Sequence, residues 1–488
     1  MSPREWFSSV FKGPEDLNLT SGGIGRPLFY LSLPIVITNL LQTAYNLADT
    51  FWLGQYSTEA LAAISFAFPM VFLLISMGMG LSVAGSVLVA QHIGADEESE
   101  AEYAASQTVA FSILGSILLG VVGYFSVGPF IAFLGASPDV LPLATGYMQV
   151  IAAGMPFMFG FFVFIALMRG YGDTVTPMLV MFGSVVLNIA IDPILIFGFE
   201  GNPLFGMLGI RGVETSLLAA TGYTGSGITG AAIATIFSRA LAFIVGIGVM
   251  FQGVRGVQIY PRQMRPDLTY LRRLLDIGIP ASVEGTGRAL SVNLLLLVVG
   301  MFPTTVVAAF GIGVRIFSVI FLPAIAVARG VETMTGQNIG AEKPDRAGTA
   351  ADFAAKVMFL LLTGLGVVAL VATKPIVAIF TNDPEVIRVG VDFLRWVAPS
   401  FGFIGVMRAY TGSFRGAGKT LTAAAISVVM LGLIRIPVAY LVSLSWGPPG
   451  IWLAFPVSNV AGALIAFAWY RRGTWQTGSV RGPTPADD

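Results

Sequence analysis

The chain of 488 residues contains no cysteine and a single histidine, His92. Without cysteine there is no disulfide, no thiolate metal site and no cysteine nucleophile, and one histidine does not make a histidine metal site or a histidine proton relay. Haem and iron–sulfur centres also lack their usual ligands. We therefore expect no bound cofactor, and we do not expect an enzyme.

Charged residues are scarce as well. They make up 11% of the chain, against about 25% in typical soluble domains, while 55% of the residues are hydrophobic and the mean hydropathy is +0.81. These values predict an all-α polytopic membrane protein surrounded by the lipid bilayer, and we expect no nucleic-acid partner. Apolar runs separated by Gly, Pro or charged residues predict twelve transmembrane helices, at 28–53, 61–90, 104–127, 140–168, 175–199, 228–251, 273–300, 305–335, 350–372, 386–413, 420–445 and 450–470.

The positive charges are distributed unevenly between the two sides of the membrane. Only Arg211 and Lys374 fall on the side opposite the termini. Sixteen fall on the side of the termini: Arg4, Lys12, Arg26, Arg169, Arg255, Arg262, Arg265, Arg272, Arg273, Lys343, Arg346, Arg415, Lys419, Arg471, Arg472 and Arg481. Because cytoplasmic segments carry the excess of Lys and Arg, both termini are predicted to be cytoplasmic, in a protein of the plasma membrane.

An internal repeat divides the chain into two halves. LSLPIVITN around Pro34 matches IGIPASVEG around Pro280, and AQHIGA around Gln91 matches GQNIGA around Gln337, both at an offset of 246 residues. This offset predicts two six-helix lobes that are parallel repeats. The predicted organisation is an N-terminal segment 1–27, a first lobe 28–251, a linker 252–272, a second lobe 273–470 and a tail 471–488.

The register of the repeat changes once, because the first lobe carries about 26 extra residues. These residues, at 200–226, are predicted to form an external surface loop or hairpin. A substrate lid is the alternative.

The first predicted helix carries polar residues on one face. Asn39, Gln42, Asn46 and Asp49 recur at helical spacing, so they form one stripe. A carboxylate at membrane depth is costly, which makes Asp49 a candidate for a functional site. Pro34, earlier in the same helix, is either a moving joint or a static kink.

Four polar positions of the first lobe form a candidate ion site. They are Asp49, Asn188, Asp192 and Thr235. Such an all-oxygen set suits a hard monovalent cation such as sodium, or a proton shared by the two acids. The alternative is that these residues only hold helices together by hydrogen bonds. In the second lobe, Leu295 and Val438 stand at the positions of Asp49 and Asp192, so the acid pair belongs to the first lobe alone.

Other polar and aromatic residues have simpler interpretations. Arg169 and Arg415 are interpreted as markers of cytoplasmic helix ends, and snorkelling or pairing within the protein accounts for most arginines of the second lobe. The abundant Phe, Tyr and Met could line a pocket for large amphipathic cations. Tyr45 and Tyr147 are the candidates selected for this pocket.

Several short motifs together resemble one family. DTFWLG at 49–54, the paired AQHIGA and GQNIGA, LMRGYGDT, LNIAIDPILIFG at 187–198 and GAAIAT at 230–235 are similar to the MATE (multidrug and toxic compound extrusion) transporters. The resemblance implies two V-shaped lobes, alternating access, and export of organic cations or drugs in exchange for sodium ions or protons.

The resemblance is closest to the branch that contains the DNA-damage-inducible protein F. It implies a cation site at Asp49, Asn188, Asp192 and Thr235, a bending role for Pro34, and a first-lobe cavity that includes Tyr45 and Tyr147 beside Gln42 and Asn46. We expect a monomer whose partners are small amphipathic or cationic organic molecules. A lipid-linked oligosaccharide flippase of the wider superfamily is the alternative, which a cationic central cavity would favour.

Overall fold

The structure is a computed structural model that describes residues 11–13, 16–253 and 255–478. Parts of the predicted terminal segments 1–27 and 471–488, including Arg4 and Arg481, lie outside the described residues. Every regular element within the described ranges is helical, as the composition predicts. In lipid, a helix satisfies all its own backbone hydrogen bonds, which is why long apolar runs fold this way.

The first lobe contains nine helices. They are α1 (Gly25–Tyr56), α2 (Thr58–Gly94), α3 (Glu98–Phe133), α4 (Leu141–Ala153), α5 (Met155–Tyr171), α6 (Val175–Phe197), α7 (Pro203–Met207), α8 (Arg211–Thr221) and α9 (Gly227–Gln252). Helices α4 and α5 are bent by 55° at Gly154 and together make one span. The insert at 200–226, predicted as a loop or hairpin, folds into the two short helices α7 and α8.

The second lobe repeats this plan. Its helices are α10 (Leu268–Val299), α11 (Thr304–Gly340), α12 (Pro344–Val371), α13 (Thr373–Ala378), α14 (Pro384–Val397), α15 (Phe401–Gly416), α16 (Thr420–Val428), α17 (Ile436–Trp446) and α18 (Pro448–Arg471). A π-helical segment, Val429–Arg435, joins α16 to α17, and a short 3₁₀ turn joins α14 to α15. Eleven spans are long and apolar enough to cross a membrane, and the bent α4–α5 pair gives a twelfth within the described residues.

Local sequence signals set several helix ends. Ser57 caps α2 by accepting from the backbone N–H of Ala60, and Asp267 caps α10 by accepting from Thr269 and Tyr270. Because of that cap, α10 begins at Leu268, inside the segment predicted as linker.

The two lobes exchange the starts of their first helices. Leu28 and Leu31 of α1 pack in a hydrophobic core of the second lobe, whereas Leu274 and Ile277 of α10 pack in a core of the first lobe. We call the end of the bundle where α1 begins and α18 ends the terminal end, and the opposite end the far end. The exchange ties the lobes together at the terminal end.

Two equivalent glycines bring α2 and α11 into contact at the terminal end. A Cβ added to Gly94 would collide with the Gln337 carbonyl, and one added to Gly340 would collide with the Gln91 carbonyl. The Gln91 amide donates to the carbonyl of Gly416 at 3.1 Å, and Gln337 donates to that of Gly170 at 3.2 Å. The repeat motifs AQHIGA and GQNIGA are thus the paired halves of one seal between the lobes.

Candidate functional site

The four predicted ion-site residues lie together near the far ends of α1, α6 and α9. The Thr235 hydroxyl donates to Asp49 Oδ2 at 3.5 Å, and Asn188 Nδ2 donates to Asp192 Oδ1 at 3.1 Å. Asp49 and Asp192 lie close enough for their charges to interact. All four side chains are buried. Three helices that are distant in sequence therefore bring two carboxylates, an amide and a hydroxyl to one place.

Several oxygen atoms of this cluster have no hydrogen-bond partner among the described residues. They are Oδ1 of Asp49, Oδ1 of Asn188, Oδ2 of Asp192 and the hydroxyl of Tyr45. A buried oxygen that accepts no hydrogen bond is costly unless a cation or a proton binds to it. The set of donor atoms fits sodium, which prefers oxygen ligands, and it equally fits a proton held between two carboxylates.

Arg239 completes the charge of the cluster and is not among the residues predicted from the sequence. It lies four residues after Thr235 on α9 and is 2% exposed. Its Nη2 donates to Gln42 Oε1 at 2.7 Å, and its guanidinium lies 4.5 Å from the ring centroid of Tyr45. A charged residue inside a predicted transmembrane helix, at i+4 from Thr235, was the signal that could have identified it.

With both acids ionised, Asp49, Asp192 and Arg239 carry one net negative charge. One bound sodium ion or one proton therefore neutralises the cluster. Because a buried net charge is costly, the site favours occupancy by a single monovalent cation.

The residues predicted for the first-lobe cavity occupy two environments. Tyr45 and Tyr147 are buried in hydrophobic cores, close to the acid pair. Gln42 faces the space between the lobes and donates to Asn46 Oδ1 at 3.0 Å, and Asn46 is exposed. The tyrosines therefore flank the ion cluster, whereas the amides face the gap between the lobes.

Pro34 lies within α1 and is buried. Because proline has no backbone N–H, it cannot donate the helical hydrogen bond to the carbonyl four residues earlier. The Thr38 hydroxyl donates to the Pro34 carbonyl at 2.8 Å. Pro34 also lies where α1 passes from the second lobe to the first, since Ser32, two residues earlier, faces Gly330 of α11.

A second charged cluster lies between the lobes and overturns one interpretation from the sequence. Arg415 is not a simple marker of a helix end, because it is only 5% exposed. It donates to both carboxylate oxygens of Glu284 at 3.1 Å and to Glu332 Oε2 at 3.0 Å. The contact between the lobes covers this end of α15 and removes it from solvent.

The same cluster includes Arg169, the other residue interpreted as a helix-end marker. Arg169 of the first lobe lies 3.8 Å from Glu332 of the second lobe, and Arg329 pairs with Glu332 at 2.8 Å. Arg288 and Arg408 lie 3.5 and 3.7 Å from Glu284. Pairing within the protein thus accounts for Arg329, as expected for most second-lobe arginines, whereas Arg288 and Arg408 share Glu284 with Arg415.

A cavity of about 430 Å³ lies between the lobes beside this cluster. Its walls come from α1, α2, α10, α11 and α15. Asn39 and Gln42 line it from the first lobe, and Glu284, Arg288 and Arg408 line it from the second. Every hydrogen bond between the lobes that the described residues make lies at mid-depth or toward the terminal end. The cavity is therefore closed toward the terminal end.

Comparisons with known proteins agree with this architecture. A family model described as MatE matches residues 34–194 and 280–441, one segment in each lobe. The probable multidrug resistance protein YpnP of Bacillus subtilis is 28% identical over 461 residues, covering 94% of this chain and 97% of that protein.

A FAD transporter of Shewanella oneidensis is 27% identical, over 93% of this chain and 95% of that protein. Among solved structures, the Vibrio cholerae MATE transporter VcmN in the bent form superposes with a TM-score of 0.82 at 23% identity, covering 93% of this chain and 98% of that chain. At that identity the likeness shows the fold alone.

Proposed function

Because the chain belongs to the MatE family, whose members are transporters and not enzymes, we propose that it is a secondary active exporter. In this proposal, sodium ions or protons move inward through the Asp49 cluster while a small organic substrate leaves through the cavity between the lobes. Alternating access exposes that cavity first to one side of the membrane and then to the other.

The observation that carries the proposal is the ion cluster itself. Two buried carboxylates beside one buried arginine leave a single negative charge and oxygen atoms without partners. A helix contact that only held the bundle together would not need two acids and an arginine, since neutral hydrogen bonds would serve. A cluster that one monovalent cation neutralises is suited to load and release that cation in each transport cycle.

The orientation is also part of the proposal. The distribution of positive charges supports a terminal end in the cytoplasm of a plasma-membrane protein, with the insert of α7 and α8 outside. The seal at Gly94 and Gly340 then closes the cytoplasmic side, so the structure corresponds to an outward-facing state.

Single introduced cysteines test the orientation directly, because the chain has no native cysteine. An impermeant thiol reagent is expected to label Leu208→Cys from outside intact cells and not Arg262→Cys. The reverse pattern would overturn the orientation.

The finer assignments rest on the motif residues. The four residues of the ion cluster support placement in the branch of the DNA-damage-inducible protein F, and we propose a monomer as the transporting unit. The sequence resemblance favours organic cations or drugs as substrates.

The direct test uses purified protein in liposomes loaded either with ethidium, a fluorescent organic cation, or with flavin mononucleotide, a fluorescent organic anion. Three conditions are compared: a sodium gradient, a proton gradient and no ion gradient. Export is expected with one or both of the ion gradients, and no export is expected without a gradient. Empty liposomes and protein carrying Asp49→Asn are the controls. Export that is equally fast without any ion gradient would contradict coupled transport.

A further inference from the structure

We propose that the cavity between the lobes selects organic anions: substrates that carry a phosphate or carboxylate group on an aromatic or apolar body. The inference rests on the proposed transport function and names its substrate class. It departs from the organic cations that the sequence resemblance implies, because the charge around the cavity has the opposite sign.

Positive charge exceeds negative charge around this cavity. Five arginines meet only two glutamates: Arg169, Arg288, Arg329, Arg408 and Arg415 surround Glu284 and Glu332. Four of the arginines line the cavity of about 430 Å³, and Arg169 and Arg329 line an adjoining cavity of about 210 Å³. The cluster thus carries an excess of three positive charges in a region largely removed from water, where electrostatic interactions are strong.

The two glutamates are already engaged by closer partners. Arg415 contacts both Glu284 and Glu332 within about 3.1 Å, and Arg329 donates to Glu332 at 2.8 Å. Arg408 approaches Glu284 only to 3.7 Å, and Arg288 only to 3.5 Å. These last two arginines therefore share a carboxylate that Arg415 already occupies.

Of the five arginines, Arg408 gives the clearest indication of an anionic ligand in the cavity. The residue is 5% exposed and lines the cavity, yet its Nε has no hydrogen-bond partner among the described residues. The Nε of Arg288 is likewise buried without a partner. A guanidinium presents its donors in a planar fork that matches a carboxylate or phosphate. An anionic group of the substrate would supply the acceptor that the protein does not.

The remaining walls suit the rest of such a molecule. Phe72, Met79, Leu322 and Ile325 line the cavity, and the ring of Phe321 lies 4.6 Å below the Arg408 guanidinium. Apolar walls with a few converging polar groups are typical of sites for small organic molecules. The anionic end would contact the arginines, and the apolar body would lie toward α2 and α11.

A purely structural role for the arginines is the competing explanation. Arg169, Arg329 and Arg415 fit it, since they hold Glu332 and Glu284 and thereby join the lobes. It does not explain Arg288 and Arg408, because removing both would leave the two glutamates with as many arginine partners as they need. Positive charge beyond that needed to pair the two glutamates indicates a negatively charged ligand.

Binding of two flavins tests the proposal. Flavin mononucleotide and riboflavin share the ring system and sugar chain and differ by one phosphate, so their affinity ratio isolates the anionic group. Fluorescence polarisation is measured on protein in phosphatidylcholine nanodiscs without any ion gradient. In the wild type, flavin mononucleotide is expected to bind on the order of tenfold more tightly than riboflavin.

The variants locate the effect. Arg408→Gln and Arg288→Gln are each expected to bring the ratio toward one, and Arg408→Lys is expected to keep part of it because the charge remains. Arg388→Gln, on the exposed face of α14 with 62% side-chain exposure, is the matched control and is expected to leave the ratio unchanged. Equal binding of the two flavins by the wild type, or a phosphate preference that survives both glutamine variants, would overturn the proposal.

A lipid headgroup could supply the same chemistry as a soluble substrate. Adding phosphatidylglycerol to the nanodiscs distinguishes the two sources: weaker flavin mononucleotide binding in the wild type, but not in Arg408→Gln, identifies a lipid headgroup at the arginines. Unchanged binding identifies a site for soluble anions. Both results support an anion site.

Because binding is measured without a gradient, its outcome is separate from that of the transport test. Gradient-driven ethidium export together with equal binding of the two flavins would leave the exporter assignment intact and overturn the anion class alone. Phosphate-dependent binding together with export that ignores both ion gradients would do the reverse.

Discussion

The two lobes share one helical plan but carry their buried charges at different positions, so that a charged residue in one lobe has a neutral residue at the equivalent position of the other. Asp49 and Asp192 of the first lobe correspond to Leu295 and Val438 of the second. In the other direction, Glu284 and Arg288 of the second lobe correspond to Thr38 and Gln42 of the first. The first lobe holds a net negative ion cluster near the far end, and the second supplies most of the arginines beside the cavity.

The residues common to both lobes do not lie with these charged residues. Gln91 and Gln337, and the glycines at 94 and 340, form the seal between the lobes at the terminal end. Duplication therefore accounts for the scaffold and its closure, whereas ion and substrate chemistry are expected where the copies differ. Separate locations also mean that ion and substrate would affect each other through movement of the lobes and not by competing for one set of ligands.

The acid pair gives the largest expected effect. Asp49→Asn and Asp192→Asn each keep the shape of the side chain but remove the charge that holds a cation, so each is expected to abolish gradient-driven export of the transported substrate from liposomes. If both acids bind one ion, the double variant will be little worse than either single variant.

The control for this prediction is an exposed acid of the second lobe. Asp392→Asn, on α14 with 46% side-chain exposure, is expected to export at the wild-type rate. Export against a gradient by both first-lobe variants would remove the asymmetry between the lobes.

Much of this comparison could be read from the sequence. The length of the apolar runs predicted the spans, and the constant offset predicted which residues are equivalent. Helical spacing placed Asn188 and Asp192 on one face of α6, and the cost of a buried carboxylate selected both acids. These inferences succeed because they depend on local periodicity and on the bilayer.

The arginine cluster could not be predicted in the same way. Glu284 and Arg415 are 131 residues apart in the chain, and their pairing depends on how α10 and α15 pack. Arg415 ends a helix in a basic turn, which locally has the features of a solvent-exposed cytoplasmic end. Its packing against Glu284 of α10 and Glu332 of α11 buries it. The 55° bend at Gly154 and the π-helical segment at Val429–Arg435 likewise depend on packing that the apolar pattern does not specify.

Replacing one buried arginine in each lobe, Arg239 in the first and Arg435 in the second, tests the difference between the lobes. Arg239→Gln removes a positive charge next to Asp49 and Asp192, so the coupling cation is expected to bind more tightly and be released more slowly. The measurement is the ion concentration that gives half-maximal export, which should fall several-fold while the maximal rate also falls.

Arg435→Gln in the second lobe is the counterpart. Arg435 contacts Ser458 at 2.9 Å and Asn459 at 2.6 Å, and Asn459 is the repeat equivalent of Arg239. Since these partners are neutral, the variant is expected to lower the thermal stability of the purified protein and to leave the ion dependence unchanged. An equal shift in ion dependence for both variants would place a second ion-sensitive site in the second lobe.

Pro34 and Pro280 occupy equivalent positions in α1 and α10, which makes them a matched pair. Pro34→Ala restores a backbone donor and allows a straighter α1, the helix that carries Asp49. Export is expected to slow several-fold with expression intact, and Pro280→Ala is expected to slow it less, because α10 has Leu295 at the position of Asp49. Initial rates of substrate export from liposomes measure both. A wild-type rate for Pro34→Ala would reduce this proline to a static kink.

The insert of α7 and α8 has no counterpart in the second lobe, yet it is expected to have the smallest effect on transport. Glu214 accepts from the backbone N–H of Asn202 at 2.7 Å and from Arg211 at 2.8 Å, and Asn202 donates to the carbonyls of Pro193 and Gly198. These bonds attach the insert to the end of α6.

The hydrogen bonds from Arg211, with that from Asn202, hold the pKa of Glu214 below its ordinary value. A lowered pKa in the folded state means that Glu214 stabilises the insert above the ordinary pKa of about 4.3 and loses this effect as the pH falls through the folded value. The protection of 203–221 against hydrogen exchange, measured relative to the intrinsic exchange rates at each pH, is therefore expected to fall at acidic pH in the wild type, and to be lower already at neutral pH in Glu214→Gln. Because the attachment lies outside the ion cluster, substrate export by Glu214→Gln should stay near the wild-type rate. A loss of export as complete as that of Asp192→Asn would instead make the insert part of the transport mechanism, and the difference between the lobes would then include their length as well as their charge.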